Sequence, residues 1–318
     1  MAQNSLGTYK KSGIPVRQPG ASSFGPTIYV DANNGNDDNL GTRPDRAVAT
    51  IEEGVRIAGV EGVDATVVVR KGYYAPTKVM ALTSDHDGIR IIADSLAPFM
   101  GRASGPLIYN IGGPDDVFTF DGAMNAEIAG FRIYPEMSPD ATCFKIADAS
   151  YAYGVWIHDN VVYNVEDSDS GMAVCVQMGG TGMANYTLIE RNLFYCGGSP
   201  LATIKKGMID WKNALWSSVQ NNYFHVLGNL TGAYGIKLHT SDNDMPRGWI
   251  LDNRFFAGEE DIANCVSQAI YNSEALTGGD FFIDGNKTVN FSTPFGANIA
   301  LLEGFGLNYK GDDAVNAA

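Results

Sequence analysis

A six-residue pattern, apolar-x-x-Asn-x-apolar, recurs down the second half of this 318-residue chain. It appears at Ile157, Asn160 and Val162; at Ile189, Asn192 and Phe194; at Val219, Asn222 and Phe224; and at Ile250, Asn253 and Phe255, then more weakly at Ile283 and Asn286. Successive asparagines are 32, 30, 31 and 33 residues apart. A nearly fixed period of that length means that each repeat is one structural unit stacked on its neighbours.

The apolar stretches within a repeat are short and alternate, as in Phe144-Lys145-Ile146, Val176-Gln177-Met178 and Ile236-Lys237-Leu238. Alternation at period two, bounded by Gly, Asn, Asp and Ser, predicts strands joined by turns. Asn tolerates a left-handed backbone, so the repeated Asn is expected to sit in a recurrent sharp turn. Stacked asparagines can also hydrogen-bond up a ladder of Asn160, Asn192, Asn222, Asn253 and Asn286, with Phe194, Phe224 and Phe255 forming a second ladder. The pattern continues backward through Ile128, Ile89 to Ile92 and Val67 to Val69, predicting about eight rungs of an all-β, right-handed parallel β-helix over residues 27–290.

The opening of that span carries its own signature. Tyr29-Val30-Asp31 reads as a strand and Gly35-Asn36-Asp37 as a polar turn. Thr50 to Glu53 reads as a capping box on an amphipathic helix, with Ile51, Val55 and Ala58 on one face; Val69 and Gly72-Tyr73 follow. Such a helix is expected to cover the open first rung. With these motifs the chain resembles the pectate-lyase-like β-helix superfamily. That resemblance implies the fold, and it leaves activity open among lyases, hydrolases, epimerases and virion proteins.

Net charge is −14, which argues against nucleic acid and anionic membranes as partners. Residues 1–26 hold Lys10, Lys11 and Arg17 and no acid, leaving −17 on the rest. This Gly/Pro-rich arm is expected to be extended, disordered alone, and to order on a partner through those three cations. No leader-like segment opens the chain, so assembly in a host cytoplasm is expected, with secretion as the alternative. Cys143, Cys175, Cys196 and Cys265 do not suggest a disulfide framework. Cys143 and Cys175 are expected on adjacent rungs.

For chemistry, the densest group of acids and bases is Lys237, His239, Asp242, Asp244 and Arg247. A base, carboxylates and a guanidinium at this spacing suit a polysaccharide lyase, while the plainer reading is a solvated loop. Glu166-Asp167-Ser168-Asp169 reads as a solvated acidic turn before a Ca²⁺ site, so no metal or cofactor is expected. His158-Asp159 reads as surface. Lys145, Gln177, Lys237 and Tyr271 fall at equivalent outward positions, a stripe suited to sugar or a partner.

No carboxylate pair stands out, and the chain resembles the β-helical proteins of tailed bacteriophages. This resemblance implies a non-enzymatic virion-surface protein, a capsid decoration or accessory subunit docked on a shell by its arm. A homotrimer is implied as well, with a host surface glycan as a further ligand; the alternative is a polysaccharide lyase or glycoside hydrolase. Residues 291–318, with Phe291, Phe295, Phe305 and Tyr309, are expected to cap the last rung or contact another subunit.

Overall fold

The fold comes from a computed structural model. It describes residues 8–11, 14–17, 25–62, 64–94, 105–136, 141–166, 174–198, 207–226, 234–239, 247–257, 268–272, 281–291, 295 and 309–311. Three parallel sheets run the length of a right-handed β-helix. The first has nine strands from Thr27–Val30 to Phe281–Asp284, the second nine from Tyr73–Tyr74 to Tyr309–Gly311, and the third seven from Met80–Leu82 to Gln268–Asn272. The first sheet therefore has nine rungs where the sequence predicts eight, because Thr27–Val30 pairs in register with Thr66–Val69 as a full rung. At about 4.8 Å per rung the spine is roughly 38 Å long.

Alternation builds the core. Ile28, Val67, Ile91, Ile128, Ile157, Ile189, Val219, Ile250 and Ile283 form one fully buried file along the first sheet. Each buried aliphatic contributes about 2 kcal/mol. From the second sheet Phe194 stacks on Phe224 at 5.2 Å, and Phe224 on Phe255 at 4.6 Å. Outside the same sheet a second aromatic file, Tyr109, Tyr134, Tyr163, Tyr195, His225 and Phe256, makes ring contacts from each rung to the next.

The turn between the first and second sheets departs from expectation in one respect. The left-handed residue is not the ladder Asn but the one before it: Asp159, Arg191, Asn221, Asp252 and Gly285 have φ of 55°, 53°, 56°, 54° and 69°. That turn aims the next side chain inward, so each ladder Asn is at most 1% exposed. Asn160 Nδ2 donates to Asn192 Oδ1 at 3.1 Å, Asn192 to Asn222 at 3.1 Å, Asn222 to Asn253 at 3.1 Å and Asn253 to Asn286 at 3.0 Å. The amides also reach strand carbonyls, as in Asn192 Nδ2 to Ile157 O at 2.9 Å. The ladder thereby satisfies polar groups that stacking would otherwise strand.

The helix Ile51–Glu61 lies on the first rungs, burying Ile51, Val55 and Ala58, with Gly54 letting it approach Val30 and Val67. Its N-terminus has half of the expected capping box. Thr50 Oγ1 accepts from Glu53 N, but Glu53 pairs with Arg56, and the reciprocal role falls to Asp37. The Asp37 carboxylate accepts from Ala49 N, Thr50 N and Thr50 Oγ1 at 2.8, 2.9 and 3.0 Å.

In the arm, Thr8–Lys11 pairs antiparallel with Ile14–Arg17, and the rest of residues 1–24 lies outside the described residues. Lys10, Lys11 and Arg17 lie in that strand pair. At the other end Phe291 is buried, Phe295 bridges to Ile270, and Tyr309–Gly311 closes the second sheet. Cys143 and Cys175 are fully buried on adjacent strands. Among the described residues no helix is long and apolar enough to cross a membrane.

Candidate functional site

Two outer faces carry concentrated polar side chains. On the first sheet an alternating chain of charges crosses successive rungs. Arg90 Nε donates to Glu127 Oε2 at 3.0 Å, and His158 bridges Glu127 Oε1 through Nε2 at 3.2 Å and Asp159 Oδ2 through Nδ1 at 2.6 Å. Arg191 grips Asp159 at 2.9 and 3.1 Å and Glu190 at 2.5 Å. Glu190 also accepts from Trp156 Nε1 at 3.1 Å and Gln220 Nε2 at 3.2 Å.

His158 is therefore no surface histidine: it is 7% exposed, with Trp156 stacked on it at 3.9 Å. Both ring nitrogens face carboxylates, which only the charged imidazolium satisfies. Burial pushes its pKa down, but the hydrogen bonds to Asp159 and Glu127 more than offset this and hold it above the ordinary value. Burial likewise pushes Glu127 up, yet His158 and Arg90 bring it down to about 2. Every carboxylate here is matched by a cation or donor among the described residues, so the network clamps successive rungs together.

The third sheet differs. Thr119, Lys145, Gln177, Asp210, Lys237 and Tyr271 stand in register on its outer face, on six of its seven strands. The four residues of the sequence stripe are all in this file, and Asp210, which the sequence reading passed over, completes it between Gln177 and Lys237. Alternation breaks where consecutive residues such as Cys143 and Phe144 are both fully buried. That break brings a second outward column against the first. Lys145 Nζ reaches Asp116 Oδ2 at 3.3 Å, and Tyr234 stacks on Tyr271 at 4.2 Å and 10°.

Lys145 also pairs with Asp148 at 3.2 Å, and Gln177 Nε2 donates to Asp148 Oδ1 at 2.9 Å. Burial pushes the Asp116 carboxyl above the ordinary value despite Lys145. Asp210 is 2% exposed, with Oδ1 3.7 Å from His239 Nε2, too long for a hydrogen bond. Three buried polar atoms on this face, Asp116 Oδ1, His239 Nε2 and Gln268 Oε1, have no hydrogen-bond partner among the described residues. Such atoms cost about 1–3 kcal/mol each unless something satisfies them.

Of the predicted catalytic group, Lys237 and His239 meet on this face beside Asp210. Arg247 precedes a first-sheet strand, where its backbone joins Ala214 and Ser217. Asp242 and Asp244 lie outside the described residues, as do Cys265 and Asp167 to Asp169. Among the described residues no group of His, Cys, Asp and Glu is arranged to hold a metal ion.

No protein-family model and no curated protein sequence matches the chain. Among solved structures it resembles a mutant pectin methylesterase in complex with a hexasaccharide, at 10% identity and TM-score 0.55, covering 90% of this chain and 93% of that one. It also aligns with a PL6-family alginate lyase at 10% identity and TM-score 0.48, over 95% of this chain and 41% of the other. At such identities the likeness shows the fold alone, a parallel β-helix.

Proposed function

We propose that this chain is a carbohydrate-active β-helix protein that binds a saccharide along the outer face of its third sheet. The observation carrying this reading is the coincidence, on one face, of unpaired buried polar atoms with an aromatic platform. Among the described residues Asp116 Oδ1, His239 Nε2 and Gln268 Oε1 have no hydrogen-bond partner on the face that carries Lys145, Gln177, Asp210 and Lys237, and the Tyr234–Tyr271 pair closes one end. Sugar hydroxyls both donate and accept, so they satisfy orphaned groups of either kind. The apolar face of a pyranose ring packs on tyrosine. The file spans six strands, roughly 24 Å, long enough for several sugar rings.

The test is calorimetric titration with neutral and uronate oligosaccharides. Saturable binding weakened about tenfold by Tyr271→Ala or Lys237→Ala supports the reading, as a loss of about 1.4 kcal/mol is what one stacking or charged contact contributes. Binding of no saccharide, or binding indifferent to both changes, refutes it.

Cleavage is a second reading, favoured by His239. Its Nε2 lies 3.7 Å from Asp210 Oδ1, and Lys237 is on the strand Tyr234–Leu238 that His239 directly follows, which sets a base near a carboxylate and a cation. Turnover abolished by His239→Gln with binding retained separates catalysis from binding. The virion-surface role, with its trimer and shell-docking arm, rests on the sequence resemblance alone.

A further inference from the structure

Arg254 and Lys287 stand directly opposite each other on neighbouring strands of the second sheet, and both are exposed. Like charges in that position are about 4.8 Å apart along the spine and repel, which destabilises the pair of strands. The chain holds 36 acids to 22 Lys and Arg, yet neither cation has an ion-pair partner among the described residues.

Beside them, successive turns pass through left-handed residues at Asn221, Asp252 and Gly285. They leave a groove of about 390 Å³, lined by those turns, by both cations and by Tyr223, which stands opposite Arg254 on the preceding strand. Asp252 is the one acid among the described residues that line it. Its carboxylate lies over Gly285, where a side chain would collide with it, and it is not within ion-pair distance of either cation.

We propose that this groove is an oxyanion site taking a tetrahedral dianion, a phosphate or sulfate group. A dianion cancels both charges and turns their repulsion into attraction. The guanidinium of Arg254 presents a fork that matches two oxyanion oxygens, and Lys287 supplies a compact third donor. The Tyr223 hydroxyl and the Asn221 amide are further donors at the rim. The site lies on the corner between the first and second sheets, which the third sheet does not form, so it is independent of the saccharide face.

The experiment titrates full-length protein with inorganic phosphate and with sulfate at constant ionic strength, read by calorimetry and melting temperature, against Arg254→Gln/Lys287→Gln. Saturable binding that falls at least tenfold in the double variant is expected. Without anion, the double variant is expected to melt at or above the wild type, since repulsion is removed, which guards against a folding defect being mistaken for lost binding. An equal response to chloride or acetate, or binding undiminished in the double variant, overturns the proposal. A sulfated monosaccharide forms the last arm. Tighter binding than inorganic sulfate assigns the oxyanion to a sugar substituent, and equal binding assigns it to the free ion; either result upholds the site.

Discussion

Asn222 donates both its backbone N–H and its side-chain amide to Asn253 Oδ1, at 3.0 and 3.1 Å, while Asn221 next to it carries the left-handed backbone at φ 56°. Two adjacent asparagines thus do separate jobs, which mutation can separate. Asn222→Val strands the donors and acceptors of its neighbours and is expected to cost about 1–3 kcal/mol. Asn221→Val is expected to cost about 1–2 kcal/mol through backbone strain alone, and Asn221→Gly almost nothing. Urea denaturation of the three variants checks this; a neutral Asn222→Val would contradict the ladder.

The first-sheet clamp makes stability depend on pH at both ends. Glu127 has a folded pKa of about 2 against an ordinary 4.5. Its contribution is therefore complete above about pH 4.5 and lost as pH falls through 2, with an upper bound of roughly 3 kcal/mol. His158 is raised, so its contribution is complete below pH 6.5 and fades as pH climbs through its folded value. Unfolding of wild type and Glu127→Gln at several pH values tests it, and the gap between them should close between pH 4.5 and 2.

Gly248 lies under Trp211, where an added Cβ would come within 2.8 Å of the indole and would also strike the Ser217 carbonyl. Backbone cannot give way as a flexible side chain can. Gly248→Ala is expected to cost about 3 kcal/mol, visible as a large drop in melting temperature.

Asp37 holds three donors at the start of the helix that caps the solenoid. Asp37→Ala is expected to cost about 1–2 kcal/mol, and Asp37→Asn less, because one amide oxygen can still accept. Hydrogen exchange should show the loss first in residues 49–54.

Among the described residues the hairpin of the arm pairs only with itself. Deleting residues 1–24 is expected to change β-helix stability by less than about 0.5 kcal/mol. A larger fall in melting temperature would mean that the arm packs on the solenoid.

The Asn period and the alternation around it were enough to read the β-helix, the Asn ladder and the phenylalanine stack, and the capping signature was enough to read the helix over the first rung. These are local patterns, and in a solenoid local patterns repeat into long-range contacts. The site was only partly legible. Lys237 and His239 were picked out by proximity in sequence, but Asp210, 27 residues before Lys237, joins them only because one turn of the helix superposes the two. His158 was misread because neighbouring rungs supply Glu127 and Arg191, which bury and charge it.

Sequence by itself determined the architecture of this chain, because strand period and repeat length act within one rung and recur. Tertiary structure decided which polar groups are matched and which are left open. Stacking places residues some 30 positions apart at about 4.8 Å, and at that range charge and hydrogen-bond complementarity depend on register and on breaks in alternation such as Cys143-Phe144. A single strand read alone carries neither.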